Sequence, residues 1–109
     1  MAELWQTEWC PASRRVRQRL TELGIDYIAR QVPVEREQRS LLRERTGSDS
    51  IPVLVTTDGE VIVGEDAITA YLNTRVPAPP EARAHHLKAE KARRRYLQEE
   101  CECSQPATP

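Results

Sequence analysis

The chain has 109 residues with a 39% hydrophobic content, which suits one domain with a single modest core and leaves no room for two. Sixteen Lys and Arg against seventeen Asp and Glu give a formal charge of -1, so net charge supplies no reason to expect nucleic acid or an acidic membrane surface as a partner. The start, Met1-Ala2-Glu3-Leu4-Trp5, lacks the basic residues and apolar run of a secretion signal, and no stretch approaches the roughly 18 apolar residues of a membrane span, so a cytoplasmic protein is expected.

Residues Glu3 to Gln6 predict a short strand, and Thr7-Glu8-Trp9 the loop that follows it. Pro11 then opens a helix reaching about Leu23: Val16, Leu20 and Leu23 recur at helical spacing, while Arg14, Arg15, Arg17 and Arg19 fall on other faces. Proline fits the first helical position because its missing N–H would have had no partner there. Gly24 ends the helix.

Tyr27 to Val32 predicts a second strand, and Glu35 to Thr46 a charged second helix with Leu41 and Leu42 facing inward, stopped by Gly47. The strongest apolar run, Ile51-Pro52-Val53-Leu54-Val55, is separated from Val61-Ile62-Val63 by Asp58-Gly59, a hairpin signal that makes these strands antiparallel neighbours. Gly64 turns the chain into a third helix with Ala67, Ile68, Tyr71 and Leu72 as its apolar face. The order β-α-β-α-β-β-α is an α/β arrangement. Its first half is a βαβ unit, whose right-handed crossover sets a parallel strand pair beneath helices.

That domain occupies residues 1–76 and is followed by a Pro-rich linker, Pro77-Ala78-Pro79-Pro80. Residues 81–100 have the composition of a charged helix with a thin apolar stripe of Leu87, Tyr96 and Leu97, expected to be solvated and loosely docked. Arg93-Arg94-Arg95 is read as part of that solvated face, with no nucleic-acid role. Residues 101–109 are expected to be a disordered tail.

The chemistry of the chain points to Cys10. A thiol at a helix N-terminus meets unpaired N–H groups and the positive end of the helix dipole, which favour the thiolate and lower its pKa from the free value of about 8.5. In Cys10-Pro11-Ala12-Ser13, Ser13 stands where a dithiol motif would carry its second cysteine, so no disulfide forms within the tetrad. With three cysteines the count is odd, and Cys101-Glu102-Cys103 is no disulfide framework. Three roles stay open for that pair: exposed cysteines on a frayed tail, a resolving thiol for Cys10, or soft-metal ligands with His85-His86, although that spacing matches no zinc pattern.

The element order, the thiol heading the first helix, Ile51-Pro52 before the third strand and Gly64-Glu65-Asp66 before the third helix together resemble the thioredoxin fold. Within it, residues Glu3 to Arg75 are similar to glutaredoxins and to the N-terminal domain of glutathione transferases. The resemblance implies a four-stranded mixed sheet and a cis bond at Ile51-Pro52. It also implies that the N–H and C=O of Ile51 pair with glutathione as with an added strand, bringing its sulfur to Cys10. At the third helix the free N–H groups would take the γ-glutamyl carboxylate, and Asp66 the ammonium, with Glu65 beside it. As a plainer reading, Glu65 or Asp66 simply caps the helix. Trp9 and Tyr27 are candidates to wall the groove, Tyr27 rather being an ordinary core residue.

Departures from the pattern narrow the activity. The lysine that glutaredoxins carry shortly before the cysteine is absent from Gln6-Thr7-Glu8, and Arg14 or Arg15 is the candidate replacement. Pro11-Ala12 differs from the Gly-Phe of cluster-binding monothiol glutaredoxins, and the segment after Pro80 is too short for the helical second domain of a full transferase. The resemblance thus implies a monomeric monothiol oxidoreductase. Its catalytic residue is Cys10, it has no resident cofactor, and glutathione or a similar low-molecular-weight thiol is its co-substrate. Two rivals are a non-catalytic protein-binding module that uses the C-terminal helix, and a metal or iron-sulfur carrier.

Overall fold

Alternation along one central strand divides the molecule into two layers of core. The computed structural model of the chain describes residues 1–104, with side chains through residue 95. Strand β1, Ala2–Gln6, pairs in parallel with β2, Tyr27–Gln31, and antiparallel with β3, Val53–Val55, which pairs antiparallel with β4, Val61–Val63. The sheet is thus mixed and four-stranded, ordered β2-β1-β3-β4. In this register Leu4 lies opposite Leu54, and Leu54 opposite Ile62, so all three point to one face.

On that face lie helices α1, Pro11–Glu22, and α3, Glu65–Arg75, whose Val16, Leu20, Ile68 and Leu72 close over Leu4 and Leu54. Full burial of such a side chain is worth about 1.5–3 kcal/mol, which makes this layer the main support of the α1 and α3 termini. The opposite face packs Trp5 and Val53 against Val32 and Leu42, the last from the short helix α2, Ser40–Thr46. The architecture is that of the thioredoxin-like fold expected from the sequence.

Several local readings change. The helix expected over Glu35 to Thr46 is divided into a single 3-10 turn, Arg36–Gln38, and α2. Arg39 interrupts it with ψ of 46°, because its guanidinium donates to the carbonyls of Pro33 at 2.8 Å, Val34 at 3.0 Å and Asp49 at 2.8 Å. One row of a two-turn helix can face the sheet, so Leu42 is buried while Leu41, expected inside, is 52% exposed. Ala67 is likewise exposed, and Tyr27 and Tyr71 are half-buried against the core. The β3 ladder begins at Val53, after the Ile51–Pro52 bond, which is cis. Thr56 and Glu60 close the expected hairpin, the Thr56 N–H donating to the Glu60 carbonyl at 2.9 Å, with Gly59 at φ 87°.

Helix α4, Ala82–Ser104, runs four residues beyond the Glu100 boundary expected from composition. Its Ala82 is buried in the core beneath α1 and α3, and polar side chains join the helix to α1: His86 Nδ1 lies 2.9 Å from Glu22 Oε2, and Gln18 Nε2 donates to Glu90 Oε1 at 3.4 Å. Leu87, assigned to an apolar stripe, is exposed. The side chains of Tyr96, Leu97, Cys101 and Cys103, and residues 105–109 of the expected tail, lie outside the described residues. No described helix is long and apolar enough to cross a membrane.

Candidate thiol site at the head of the first helix

Cys10 is the N-cap of α1, with extended backbone angles of φ -70° and ψ 119° and Pro11 at the first helical position. Its carbonyl accepts from the Arg14 N–H at 3.0 Å, the first bond of the helix. Its sulfur accepts from the Ser13 N–H at 3.4 Å, taking the place usually held by a capping oxygen. Burial pushes the thiol pKa up. The Ser13 hydroxyl, the N–H groups of Ser13 and Ala12, and the charge of Arg15 more than offset that, and the net shift is downward. Ser13 is completely buried, and among the described residues its hydroxyl has no hydrogen-bond partner, which leaves the O–H available to a thiolate on Cys10.

The loop upstream is held from α1. Arg17 donates to the carbonyls of Thr7 at 3.4 Å and Glu8 at 3.1 Å and to Gln6 Oε1. Gln6 is itself buried, its amide donating to Glu8 Oε2 at 2.9 Å. Arg17, which the sequence reading placed away from the apolar face of the helix, thus brings a guanidinium to the Gln6-Thr7-Glu8 segment as a clamp on its backbone. Trp9, at the loop's tip, is 72% exposed.

Ile51 and Pro52 connect the second half of the site to α3, because the Gly64 N–H donates to the Pro52 carbonyl at 2.9 Å. Gly64 is the N-cap of α3 at φ 93°, a conformation that favours glycine, and it offers no side chain to the helix. Among the described residues, neither the N–H nor the C=O of Ile51 has a hydrogen-bond partner, and the N–H groups of Glu65, Asp66 and Ala67 are likewise unpartnered. Pro52 is buried and Ile51 half-buried.

The two acids at the start of α3 have different surroundings. Glu65 is gripped by Arg15, whose Nε and Nη2 donate to its two oxygens at 2.5 and 2.8 Å, and this guanidinium holds the Glu65 carboxyl below its usual range. Asp66 is exposed, with no hydrogen-bond or ion-pair partner among the described residues. Arg14 and Arg15 are both exposed, but of these two candidate replacement cations Arg15 is the one whose charge acts on Cys10 and whose guanidinium holds Glu65. The sequence-derived residues of α1 and α3 thus meet through Arg15. Cys101 and Cys103 lie outside this description. Among the described residues no group of three or more His, Cys, Asp or Glu is placed to hold a metal ion.

The sequence reading did not single out Arg17, Gln6, Arg39 or Glu22. The available signal was weak: a glutamine closing an otherwise apolar strand, and arginines with ordinary helical spacing. The partners of Arg17 and Arg39 are largely backbone carbonyls, which carry no sequence signature, and those of Gln6 and Glu22 include side chains far away in sequence, Gln31 and His86.

A family model described as glutathione S-transferase, N-terminal domain, matches residues 9–75. No curated protein sequence matches the chain significantly. Among solved structures, a glutathione S-transferase from Rhodospirillum rubrum F11 is 34% identical with a TM-score of 0.63, covering 72% of this chain and 35% of that one. One from Methylobacillus flagellatus KT, solved with GSH bound, is 28% identical with a TM-score of 0.59, covering 71% of this chain and 38% of that one. Glutaredoxin 2 of Salmonella typhimurium in complex with glutathione shares the fold, with a TM-score of 0.62 at 15% identity over 72% of this chain and 35% of its own. The chain accordingly spans well under half the length of these proteins.

Proposed function

The chain belongs to the glutathione S-transferase N-terminal domain family, and from that premise we propose that it binds glutathione beside Cys10 and catalyses thiol-disulfide exchange by a monothiol route. The observation that carries this reading is the cysteine cap itself: Sγ accepts the Ser13 N–H, and the residue that donates it is a serine where a dithiol enzyme needs sulfur. The unpartnered N–H and C=O of Ile51 supply the donor and acceptor that an extended γ-glutamyl peptide requires. The three free N–H groups at the start of α3 suit its γ-glutamyl carboxylate. Asp66, unpaired, takes the adjacent ammonium, and Trp9 walls the groove. The GSH bound by the Methylobacillus flagellatus protein supports the same ligand class here.

In the first step the Cys10 thiolate attacks the glutathione sulfur of a protein-glutathione mixed disulfide. A Cys10-glutathione bond forms, the original S–S bond breaks, and its electron pair leaves with the protein thiolate. In the second step a free glutathione thiolate attacks the glutathione sulfur bound to Cys10, giving glutathione disulfide and restoring the Cys10 thiolate. Glutathione is the reductant, and the two steps balance without a resident cofactor or a second protein thiol.

The test is release of glutathione from a glutathionylated peptide in the presence of excess glutathione. Wild-type protein should catalyse it and Cys10→Ser should not. Activity that survives in Cys10→Ser removes the mechanism. Glutathione binding without any exchange would favour a non-catalytic binding module instead.

A further inference from the structure

Arg17 lies two turns into α1, yet its side chain runs back to the loop that precedes Cys10, where it is only 18% exposed. One guanidinium nitrogen donates to Gln6 Oε1 and to the Thr7 carbonyl, and the other donates to the Glu8 carbonyl at 3.1 Å. The Glu8 carboxylate stands 3.7 Å from the first of these nitrogens. The Thr7 carbonyl that Arg17 holds is also the acceptor for the Cys10 N–H, at 3.3 Å. Three consecutive residues ahead of the thiol are therefore tied to one planar cation, and the innermost of them, Gln6, is buried.

We propose that Arg17 is a positioning residue for the Cys10 thiol, acting through the Thr7–Glu8 backbone. This rests on the reading that Cys10 is the reacting group. An N-cap holds its side chain over the helix only while its own backbone stays extended, and the backbone of Cys10 is set by the loop entering it. With Thr7 and Glu8 fixed, Sγ stays where the Ser13 N–H reaches it. Arg17 acts by shape more than by charge: the cation that favours the thiolate is Arg15, and a lysine at position 17 keeps the charge while losing the fork that spans two carbonyls and an amide.

The experiment is iodoacetamide alkylation of the full chain across a pH series, with peptide mapping to separate Cys10 from Cys101 and Cys103. In Arg17→Lys the midpoint of the Cys10 profile should move up toward that of a free thiol, and the rate at pH 7 should fall roughly threefold to tenfold, with helical content retained. An unchanged midpoint alongside a lowered melting temperature overturns the proposal and leaves Arg17 a structural residue only. Should Arg17→Lys not fold, the wild-type chain decides by NMR. Guanidinium protons of Arg17 that exchange much more slowly than those of exposed Arg14 uphold the anchored geometry, and equal exchange overturns it. Because alkylation needs no glutathione, a wild-type protein with a depressed thiol but no peptide deglutathionylation refutes the oxidoreductase reading without touching the role of Arg17.

Discussion

Arg15 and Glu65, fifty positions apart, are joined by two parallel hydrogen bonds of 2.5 and 2.8 Å that fasten the second turn of α1 to the first turn of α3. The bidentate geometry holds one carboxylate in a fixed direction. It also changes what the start of α3 can accept. Glu65 and Asp66 would together oppose an incoming carboxylate, whereas with Glu65 neutralised by Arg15 the free N–H groups of the helix retain their attraction for an anion.

Replacing Arg15 by Gln should therefore weaken glutathione binding by roughly twofold to fivefold, the scale of one charge at a helix terminus. The Arg15 charge also favours the Cys10 thiolate, so the alkylation profile should shift to higher pH in the same variant. Calorimetric titration and alkylation kinetics measure the two effects separately. Affinity equal to wild type would mean that the carboxylate of glutathione is not received at α3.

Ser13→Ala separates catalysis from stability. The Ser13 hydroxyl is buried without a partner, and removing such a group relieves a desolvation cost, so the melting temperature should hold or rise. The same hydroxyl favours the thiolate, so the Cys10 midpoint should rise while exchange persists. The direction of a depressed thiol is that of an acid: its thiolate is fully formed above the free-thiol pKa and is lost only as pH falls through the lowered folded value. A fall in melting temperature with an unmoved alkylation midpoint would assign Ser13 to packing alone.

Where the sequence was informative, the information was local or periodic. Cys10-Pro11 identified its own place because a helix N-terminus is specified by adjacent residues, and Val16, Leu20 and Leu23 marked the buried face of α1 by their helical spacing. Arg39 escaped because the bend it imposes is made by carbonyls at positions 33, 34 and 49, whose side chains are irrelevant to it. Leu41 and Leu42 were indistinguishable until the axis of α2 was known. The docking of α4 was similarly hidden: Ala82 aside, it is joined to α1 among the described residues by hydrogen bonds of polar side chains, so a search for an apolar stripe found Leu87, which is exposed, and passed over His86, which reaches Glu22.

Glu22 is 2% exposed, and burial alone would push its carboxyl up. Gln18 Nε2 at 2.8 Å, His86 Nδ1 at 2.9 Å and Arg19 Nη1 at 3.0 Å outweigh that, and the net shift is downward. A carboxyl lowered in the folded state contributes stability that is present above its unfolded pKa of about 4.3 and disappears as pH falls through the folded value. Melting temperature should thus be level above about pH 5 and decline below it. Glu22→Gln should cost about 1–3 kcal/mol of stability on that plateau and flatten the acid limb, because Gln18, Arg19 and His86 lose their charged, buried acceptor. Thermal melts from pH 3 to 7 check both features. An acid limb of wild-type steepness in the variant would place the responsible group elsewhere.

The last prediction concerns the other arginine that holds backbone. Arg39 ties the Pro33-Val34 segment to the Asp49 carbonyl, two residues ahead of Ile51, while Arg36 donates to Asp49 Oδ1 and Ser50 Oγ at 3.0 Å each. If Ile51 pairs with glutathione through its backbone, the cost of ordering that segment is met in the free protein by these bonds, and loosening them transfers the cost to binding. Arg39→Lys keeps the charge but cannot span three carbonyls, so glutathione affinity should fall by roughly threefold to tenfold. Cys10 is held from α1 and by Arg17, which Arg39 does not touch, so the pH profile of its alkylation should stay where it is. Titration calorimetry with glutathione and iodoacetamide kinetics on the same preparation read the two quantities. A shifted alkylation midpoint would show that the two loops are coupled, and unchanged affinity would show that Ile51 is not the strand on which glutathione docks.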